Sequence, residues 1–510
     1  MKKRGRTINA IISMFSNIIL QFINIISNLI LPSLFIGTFG SIINGLISSI
    51  KQIFSYVQLI GTGISEATIV SLYKPLDENN YKKISSIYNA SAKTFFKTGI
   101  FFTIITLLFA LIYPALVNTT LDYTSSVLLI LIMGIAGASE FFIFGKYKTI
   151  LIADQKVYCI NVIQIITIII ILSCNLLFIK LGYNIVLVTL FSSVAYIFRT
   201  VAIFIYMKKK YNFLDKNIPA DMSALSKRKA AMAHQISSLI LFSSQTIIVS
   251  ITCGLAEASV YSVYALIFNG LSNLLTTVSS SLLPSFGNLV FSGKKSDIKK
   301  IYEIYECIYS IMTFLLITVA LLMISPFVSI YTKNITDVNY LRPELGILFS
   351  IGLLITSIRT PLYTLISAYG HYQETKWRAI TEMIICLISE VVLVKIFGLP
   401  GILYGTIIAY LFSCFFVALY TNKKLLSRKM SELFKRILLN MSILIVLNYL
   451  MQFLTNNINY SSSYLSWVII AVIVFTICFF TFLFVNAIIY KSTFYEIYTR
   501  YIKPRMERRK

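Results

Sequence analysis

Long apolar stretches, separated by short polar segments, recur along the whole chain. Fourteen of them are long enough to cross, as helices, the roughly 30 Å hydrocarbon core of a bilayer. They lie at residues 8–31, 42–70, 94–117, 125–145, 157–179, 184–207, 232–253, 260–290, 304–330, 345–367, 375–397, 400–421, 434–454 and 464–489. The pattern predicts an all-α polytopic membrane protein with about 14 transmembrane helices.

The basic residues are distributed unevenly between the two sides that these helices connect. The side that holds the N-terminus carries 38 of the 45 Lys and Arg residues, the opposite side carries four, and three lie within the helices. Because loops rich in Lys and Arg stay in the cytoplasm, both termini are predicted to be cytoplasmic.

The composition agrees with a membrane protein and excludes the soluble classes. Of the 510 residues, 57% are hydrophobic and 13% are charged, and the mean hydropathy is +0.80, which is outside the range of soluble domains. A formal charge of +25 would suggest nucleic acid in a soluble chain. Here the basic clusters follow the predicted cytoplasmic loops, so we expect membrane lipids and not nucleic acid as partners.

A weak internal repeat has an offset of 216 to 217 residues, for example where Tyr81–Tyr88 lies over Ile298–Tyr305. Two sets of six helices in the same orientation predict two lobes, as in transporters that rock around a central site. The predicted domains are a six-helix lobe at 1–207, a basic cytoplasmic linker at 208–231, a second six-helix lobe at 232–424, and helices thirteen and fourteen with a basic tail at 425–510.

Amide side chains form a stripe along the first predicted helix. Their spacing of three and four residues places them on one face: Asn17, Gln21, Asn24 and Asn28. At the repeat offset, the polar counterparts in the second copy include His234 and Gln245. Such side chains can simply join helices within a membrane. Because both copies carry them, we favour a shared polar cavity.

Seven ionisable side chains lie at or near bilayer depth, where each is a candidate for function. The basic members are Lys51, Arg199 and Arg359, and the acidic members are Glu66, Glu140, Glu382 and Glu390. Three basic groups would make a cationic cavity that suits an anion. The four carboxylates are candidates either for salt bridges or for the binding of a coupling ion.

Position along the chain separates the four carboxylates. Arg359 and Glu382 flank a short turn on consecutive helices, so a salt bridge between them is feasible. Glu66 and Glu140 lie near helix ends and can reach water. Glu390 either pairs with Lys395 near the outer end of its helix or binds a coupling cation.

The sequence contains no catalytic or cofactor motif. It has no P-loop, no HExxH and no G-x-S-x-G, and its seven cysteines form no CxxC pair. The longest predicted outer loop, at about 331–344, is short for the outer catalytic surface of a glycan polymerase. We expect a non-enzyme without a metal or cofactor, driven by H⁺, Na⁺ or the membrane potential.

Two segments of the chain are similar to one known family. One runs from Ile43 through Gly61-Thr-Gly63 to Pro75, and the other is AYGHYQETKWRAITEMIICLISEVVLVKIFGLPGILYGTIIAYL at 368–411, which includes Gly401 and Gly405 in a G-x-x-x-G pattern. Together with the fourteen helices, they resemble bacterial O-antigen or capsule repeat-unit flippases. These belong to the multidrug, oligosaccharidyl-lipid and polysaccharide exporter superfamily.

This resemblance implies a function in the bacterial cytoplasmic membrane. The cargo would be a polyprenyl-pyrophosphate-linked oligosaccharide, flipped from the inner to the outer leaflet by alternating access, with a polysaccharide polymerase as a candidate partner. Lys51, Arg199 and Arg359 would line the cationic cavity. Three alternatives remain: a cation-coupled multidrug exporter of the same superfamily, a membrane glycan polymerase, and a lipid II flippase, whose arginine-rich first helix is absent here.

Overall fold

The computed structural model describes residues 3–225, 244–291, 295–333, 335–371, 374–455 and 463–499. Within these ranges the chain is helical and contains no strand. The helices are α1 (Lys3–Phe39), α2 (Ser41–Asp77), α3 (Tyr81–Leu116), α4 (Tyr123–Ser139), α5 (Gly145–Ala153), α6 (Val157–Lys180), α7 (Ile185–Lys210), α8 (Gln245–Thr252), α9 (Leu255–Phe291), α10 (Lys295–Tyr331), α11 (Pro343–Tyr369), α12 (Lys376–Phe397), α13 (Leu399–Tyr420), α14 (Met430–Thr455), α15 (Tyr464–Ile489) and α16 (Lys491–Ile497). Two π-helical turns, Glu140–Phe144 and Thr421–Leu425, follow α4 and α13.

Every predicted membrane helix overlaps a helix of the structure, although most of the seventh, 232–253, lies outside the described residues. In the described ranges, eleven helices are long and apolar enough to cross a membrane. Two further helices that we predicted to cross, α2 and α12, are not among the eleven. The chain is therefore a multi-pass membrane protein, as expected.

Several helices are longer than their apolar stretches. Helix α3 has 36 residues, which corresponds to about 54 Å at 1.5 Å per residue, against roughly 30 Å of hydrocarbon. The polar residues that precede the apolar stretch, from Tyr81 onward, continue the helix, and Asn80 caps it by accepting a hydrogen bond from the Lys83 amide (3.0 Å). Hydropathy alone therefore placed the start of α3 too late.

The chain divides into two compact units, Met1–Ser262 and Val263–Lys510, and the boundary falls within α9. The first unit thus continues past the lobe boundary that we predicted at 208–231. The division into two sixfold repeats stays a prediction.

Phenylalanine side chains and glycines build the core of the first unit. Phe54, Phe102 and Phe141 pack together, with ring centroids 5.4 Å apart in each contact to Phe102. A Cβ atom on Gly137 would lie 2.2 Å from the Phe102 ring. The absence of a side chain at this position of α4 therefore lets the ring of α3 fill the contact.

Helices α12 and α13 of the second unit pack backbone to backbone. A Cβ atom on Gly401 would lie 2.1 Å from the Leu393 carbonyl oxygen, and one on Gly405 would lie 2.5 Å from the Glu390 amide nitrogen. The turn between the two helices uses Gly398 at φ +62°, which a side chain would strain. Gly401 and Gly405, the two glycines of the G-x-x-x-G pattern, therefore permit this close packing.

The segment 211–225, which we name the strap, lies against the first turns of α3. The Asn89 side-chain amide donates to the carbonyl oxygens of Asp215 (3.0 Å) and Ile218 (2.8 Å), and the Ser86 hydroxyl donates to that of Pro219 (2.6 Å). Two further contacts are the Lys83–Asp221 ion pair and the ring contact between Tyr81 and Phe213. Part of the predicted basic linker is thus docked on the first unit.

Candidate functional site

The amide stripe of α1 lies beside its packed face. Ser16 and Leu20 are buried, and Ser16 accepts a hydrogen bond from the Asn161 side chain of α6 (2.9 Å). The stripe itself remains open: Asn17, Gln21 and Asn28 are exposed, and Asn24 is half-buried. An amide that faces lipid without a partner costs roughly 2 to 7 kcal/mol, so the stripe requires a polar environment.

Lys51 lies on an exposed, polar face of α2. It is the eleventh residue of this 37-residue helix, about 15 Å from the start at 1.5 Å per residue. Its side chain and that of Gln58 are exposed, while Ser55 is half-buried. In the described ranges no carboxylate lies within ion-pair distance of Lys51. A lysine amine at this depth needs water or an anion.

Arg199 is engaged inside the first unit. The side chain is buried, and its Nη1 atom lies 3.4 Å from Oε2 of Glu140. Its Nη2 atom donates to the Ser139 hydroxyl (2.6 Å) and to the Ala136 carbonyl oxygen (3.3 Å), and its guanidinium stacks over Phe144 at 4.5 Å. Arg199 is therefore already neutralised and held by protein.

Glu140 forms salt bridges, one of the two alternatives for the acidic residues, and its side chain is 23% exposed. This carboxylate begins the π-helical turn after α4 and contacts both Arg199 and Lys148, the latter at 3.6 Å. Single π-helical turns occur frequently at functional sites. No local pattern in the sequence indicates that α4 and α7 bring these residues together.

Arg359 and Glu382 form the ion pair that their positions suggested, and a second arginine joins them. Arg378 Nη1 lies 2.5 Å from Glu382 Oε2, and both guanidinium groups contact the Ser413 hydroxyl. Glu382 is 1% exposed. We name this set, Arg359, Arg378, Glu382 and Ser413, the α12 network.

Glu390 is fully buried, at 0% exposure, in the contact between α12 and α13. Its Oε1 atom accepts hydrogen bonds from the Thr406 hydroxyl (2.8 Å) and the Cys386 thiol (3.1 Å). The alternative of a pair with Lys395 is wrong, because Lys395 is exposed and makes no ion pair in the described part of the chain. The side chain instead points into the helix contact that Gly405 makes possible.

Three other predicted site residues complete the picture. Glu66 is exposed on α2. Gln245 is buried at the start of α8, so it does not present an open polar face like that of α1. His234 lies outside the described residues.

Helix α9 of the second unit carries a row of polar side chains that we did not predict from the sequence. These side chains are all exposed and recur at intervals of four, three and four residues: Asn269, Asn273, Thr276 and Ser280. This spacing places them on one helix face and was available as a signal. At the repeat offset of 217, Asn269 corresponds to Gln52, the residue next to Lys51.

A second charged network was also missed. Glu306 of α10 is buried and binds two arginines, Arg428 through both carboxylate oxygens (2.7 and 2.8 Å) and Arg436 of α14 through one (2.7 Å). We name Glu306, Arg428 and Arg436 the α10 network. More than 120 residues separate Glu306 from either arginine, so no local pattern could have indicated the contact.

In the first unit, the exposed polar groups include the amine of Lys51, which has no ion pair in the described ranges, and amides of α1 and α2. The α9 row of amides and hydroxyls belongs to the second unit. In the ranges that the structure covers, His, Cys, Asp and Glu form no group that could hold a metal ion. The chemistry offered is hydrogen bonding, together with attraction for an anion at Lys51.

Solved structures with the same fold are membrane transporters. An inward-facing MATE-family multidrug resistance transporter of the MOP superfamily has a TM-score of 0.65 at 11% identity, covering 84% of this chain and 99% of that one. The lipid II flippase MurJ, in an inward closed conformation, has a TM-score of 0.65 at 15% identity, covering 93% and 98%. The Vibrio cholerae MATE transporter VcmN has a TM-score of 0.55 at 14% identity, covering 84% and 99%.

No family model matches the sequence, and no curated protein matches it. The structural likeness shows the fold, which this chain shares with these transporters. At identities of 11 to 15%, it does not define the family or the cargo.

Proposed function

We propose that the protein is a flippase for a polyprenyl-pyrophosphate-linked oligosaccharide in the bacterial cytoplasmic membrane. It moves this lipid from the inner to the outer leaflet by alternating access. At the outer leaflet, a polysaccharide polymerase takes the flipped product. The observation that carries the proposal is Lys51, an exposed amine ten residues after the start of α2 with no ion pair in the described part of the chain. A pyrophosphate is an anion that such an amine would bind.

The polar rows supply what a sugar headgroup needs. Each sugar hydroxyl that enters hydrocarbon without a partner costs roughly 2 to 7 kcal/mol. Side-chain amides offer both donors and acceptors, so the stripe Asn17, Gln21, Asn24 and Asn28 can replace the hydrogen bonds that the headgroup makes with water. Gln58, on the face of Lys51, extends this capacity to α2.

Contacts within each unit reduce the number of basic side chains that are available to the cargo. The sequence predicts three such side chains: Lys51, Arg199 and Arg359. Both arginines are now matched by carboxylates, Glu140 and Glu382. We therefore assign the principal anion contact to Lys51. The two arginines instead position the side chains that they contact.

A cation-coupled multidrug exporter is the alternative within the same fold. An exposed lysine without an ion pair would repel cationic drugs, so Lys51 favours an anionic cargo. For outward movement of an anion, the membrane potential contributes about 2.3 kcal/mol per charge per 100 mV. Glu66 and the buried Glu390 are the candidates for binding H⁺ or Na⁺ if an ion is coupled.

The test compares Lys51→Gln and Lys51→Arg in cells that depend on this protein for surface polysaccharide. A hydrogen bond to a charged group contributes about 1.5 to 3 kcal/mol, so Lys51→Gln should lower export about tenfold or more at equal membrane abundance. A lipid-linked glycan should accumulate on the cytoplasmic face, and Lys51→Arg should retain most export.

The matched control is Lys97→Gln, which removes an exposed lysine from α3 and should leave export unchanged. Normal export by Lys51→Gln would contradict the proposal. Efflux of cationic dyes by the wild type, without any accumulated glycan in a knockout, would favour the drug exporter instead.

A further inference from the structure

A small cavity lies inside the second unit, among α10, α11 and α14. Its volume is about 20 Å³, which is room for about one water-sized species. The polar residues that line it are Glu306, Tyr309, Ser310, Thr313, Ser357 and Arg436. The cavity therefore adjoins the α10 network.

Two of these residues carry buried polar atoms that make no hydrogen bond within the described ranges. They are the Thr313 hydroxyl and the Arg436 Nε–H group, whereas the Tyr309 hydroxyl has Thr360 as a partner. Thr313 is 1% exposed and Arg436 is 7% exposed. Buried polar groups nearly always have a partner, so these two indicate an occupant of the cavity.

The occupant has to accept hydrogen bonds. An arginine Nε–H can only donate, and the Thr313 hydroxyl can donate as well. The carboxylate of Glu306 has no capacity left for a cation. Its Oε1 atom accepts from Arg428 (2.8 Å) and from the Tyr302 hydroxyl (3.1 Å), and its Oε2 atom accepts from Arg428 and Arg436 (2.7 Å each).

The charge of the α10 network also favours an anion as the occupant of the cavity. Two guanidinium groups share one buried carboxylate, and Arg428 also lies 4.0 Å from the exposed Glu432 carboxylate, so the buried part of the network carries an excess positive charge beside the cavity. The nearby carboxylates, Glu303 and Glu432, have side chains that are 31% and 48% exposed, where solvent screens them. An anion in the cavity would balance the buried excess.

We propose that this cavity binds a chloride ion, held by Thr313 and Arg436. A monatomic anion suits a space that has room for about one water-sized species and that offers donors. By bridging α10 and Arg436, the ion braces α14 against the rest of the second unit. The proposal is independent of the cargo that the protein moves.

The test measures thermal unfolding of the full-length protein in detergent, in sodium chloride and in sodium gluconate at equal ionic strength. The unfolding midpoint should rise with chloride concentration and saturate, because a ligand that binds only the folded state stabilises it. Thr313→Val keeps the shape but removes one donor, so half-saturation should need about tenfold more chloride.

Thr318→Val is the matched control, since Thr318 is an equally buried hydroxyl of α10 that already bonds the Phe314 carbonyl oxygen (2.7 Å). This variant should keep the wild-type chloride response. Equal midpoints in chloride and gluconate for the wild type would overturn the proposal and assign the cavity to water, and so would a chloride response unchanged in Thr313→Val. If Thr313→Val does not fold, crystals of the wild type in bromide decide, by the presence or absence of an anomalous peak beside Arg436.

Discussion

Removal of the charge at Glu382 should strongly destabilise the second unit. In the α12 network this carboxylate, 1% exposed, is the anion between Arg359 and Arg378. Glu382→Gln leaves two guanidinium groups, one of them buried, facing a neutral amide, and the Ser413 hydroxyl cannot replace the lost charge. Breaking a buried ion pair by removing one partner costs about 3 to 5 kcal/mol, and we expect a loss of this size in the free energy of unfolding.

The measurement is a denaturant titration of the purified protein in detergent, read as the free energy of unfolding. Glu344→Gln is the matched control, because it changes an exposed glutamate at the start of α11 and should have little effect. A third variant replaces the whole set with Arg359→Met, Arg378→Met and Glu382→Leu. Because apolar side chains of similar volume often match or exceed a buried ion network in stability, this variant should be more stable than Glu382→Gln.

Two results would refute this reasoning. If Glu382→Gln unfolds within about 1 kcal/mol of the wild type, the network contributes no more than an exposed ion pair does. If the triple variant loses at least as much stability as the single one, the cost does not come from uncompensated buried charge.

Two further predictions concern packing and the strap. Gly405→Leu should abolish the contact between α12 and α13 and lower the yield of folded protein in the membrane, because even a Cβ atom would lie 2.5 Å from the α12 backbone. The control Gly352→Leu, at a position with open space, should be tolerated. Equal yields of the two variants would show that the contact is not required. A hydrogen bond from Lys83 is the main cause that lowers the pKa of Asp221 from 3.8 to about 2, so this pair stabilises the docked strap above about pH 4 and that contribution is lost as the pH falls towards 2. Lys83→Gln should therefore speed hydrogen exchange in the strap at pH 7. The control Lys82→Gln, which removes an exposed neighbouring lysine, should leave the exchange rate unchanged. Exchange at the wild-type rate in Lys83→Gln would exclude a role for the Lys83–Asp221 pair.

The helices were predictable from sequence because the hydrocarbon thickness sets a minimum length for an apolar run. Their ends were not, since α3 continues through polar turns that hydropathy cannot distinguish from a loop. Similarly, the docking of the strap depends on a few individual hydrogen bonds from Asn89 and Ser86. Such bonds leave no periodic signal in the sequence.

The candidate site was predictable only where its contacts are local in sequence. Arg359 and Glu382 lie on consecutive helices, so their pairing could be suggested. The pair Arg199–Glu140 joins helices about 60 residues apart, and the α10 network joins still more distant ones, so both depend on tertiary packing. The burial of Glu390 likewise follows from how closely Gly405 lets two backbones approach, which a count of charges does not show.

The arrangement of charges also bears on how such a protein can change over time. In the α10 and α12 networks one buried carboxylate serves two arginines, so a substitution of Glu306 or Glu382 leaves buried charge uncompensated, and these positions must change as sets. Lys51 has no such partner in the described part of the chain, and a substitution there leaves no opposite charge behind. On the proposed function, a shift towards a different cargo can therefore begin at Lys51 while the helices remain folded.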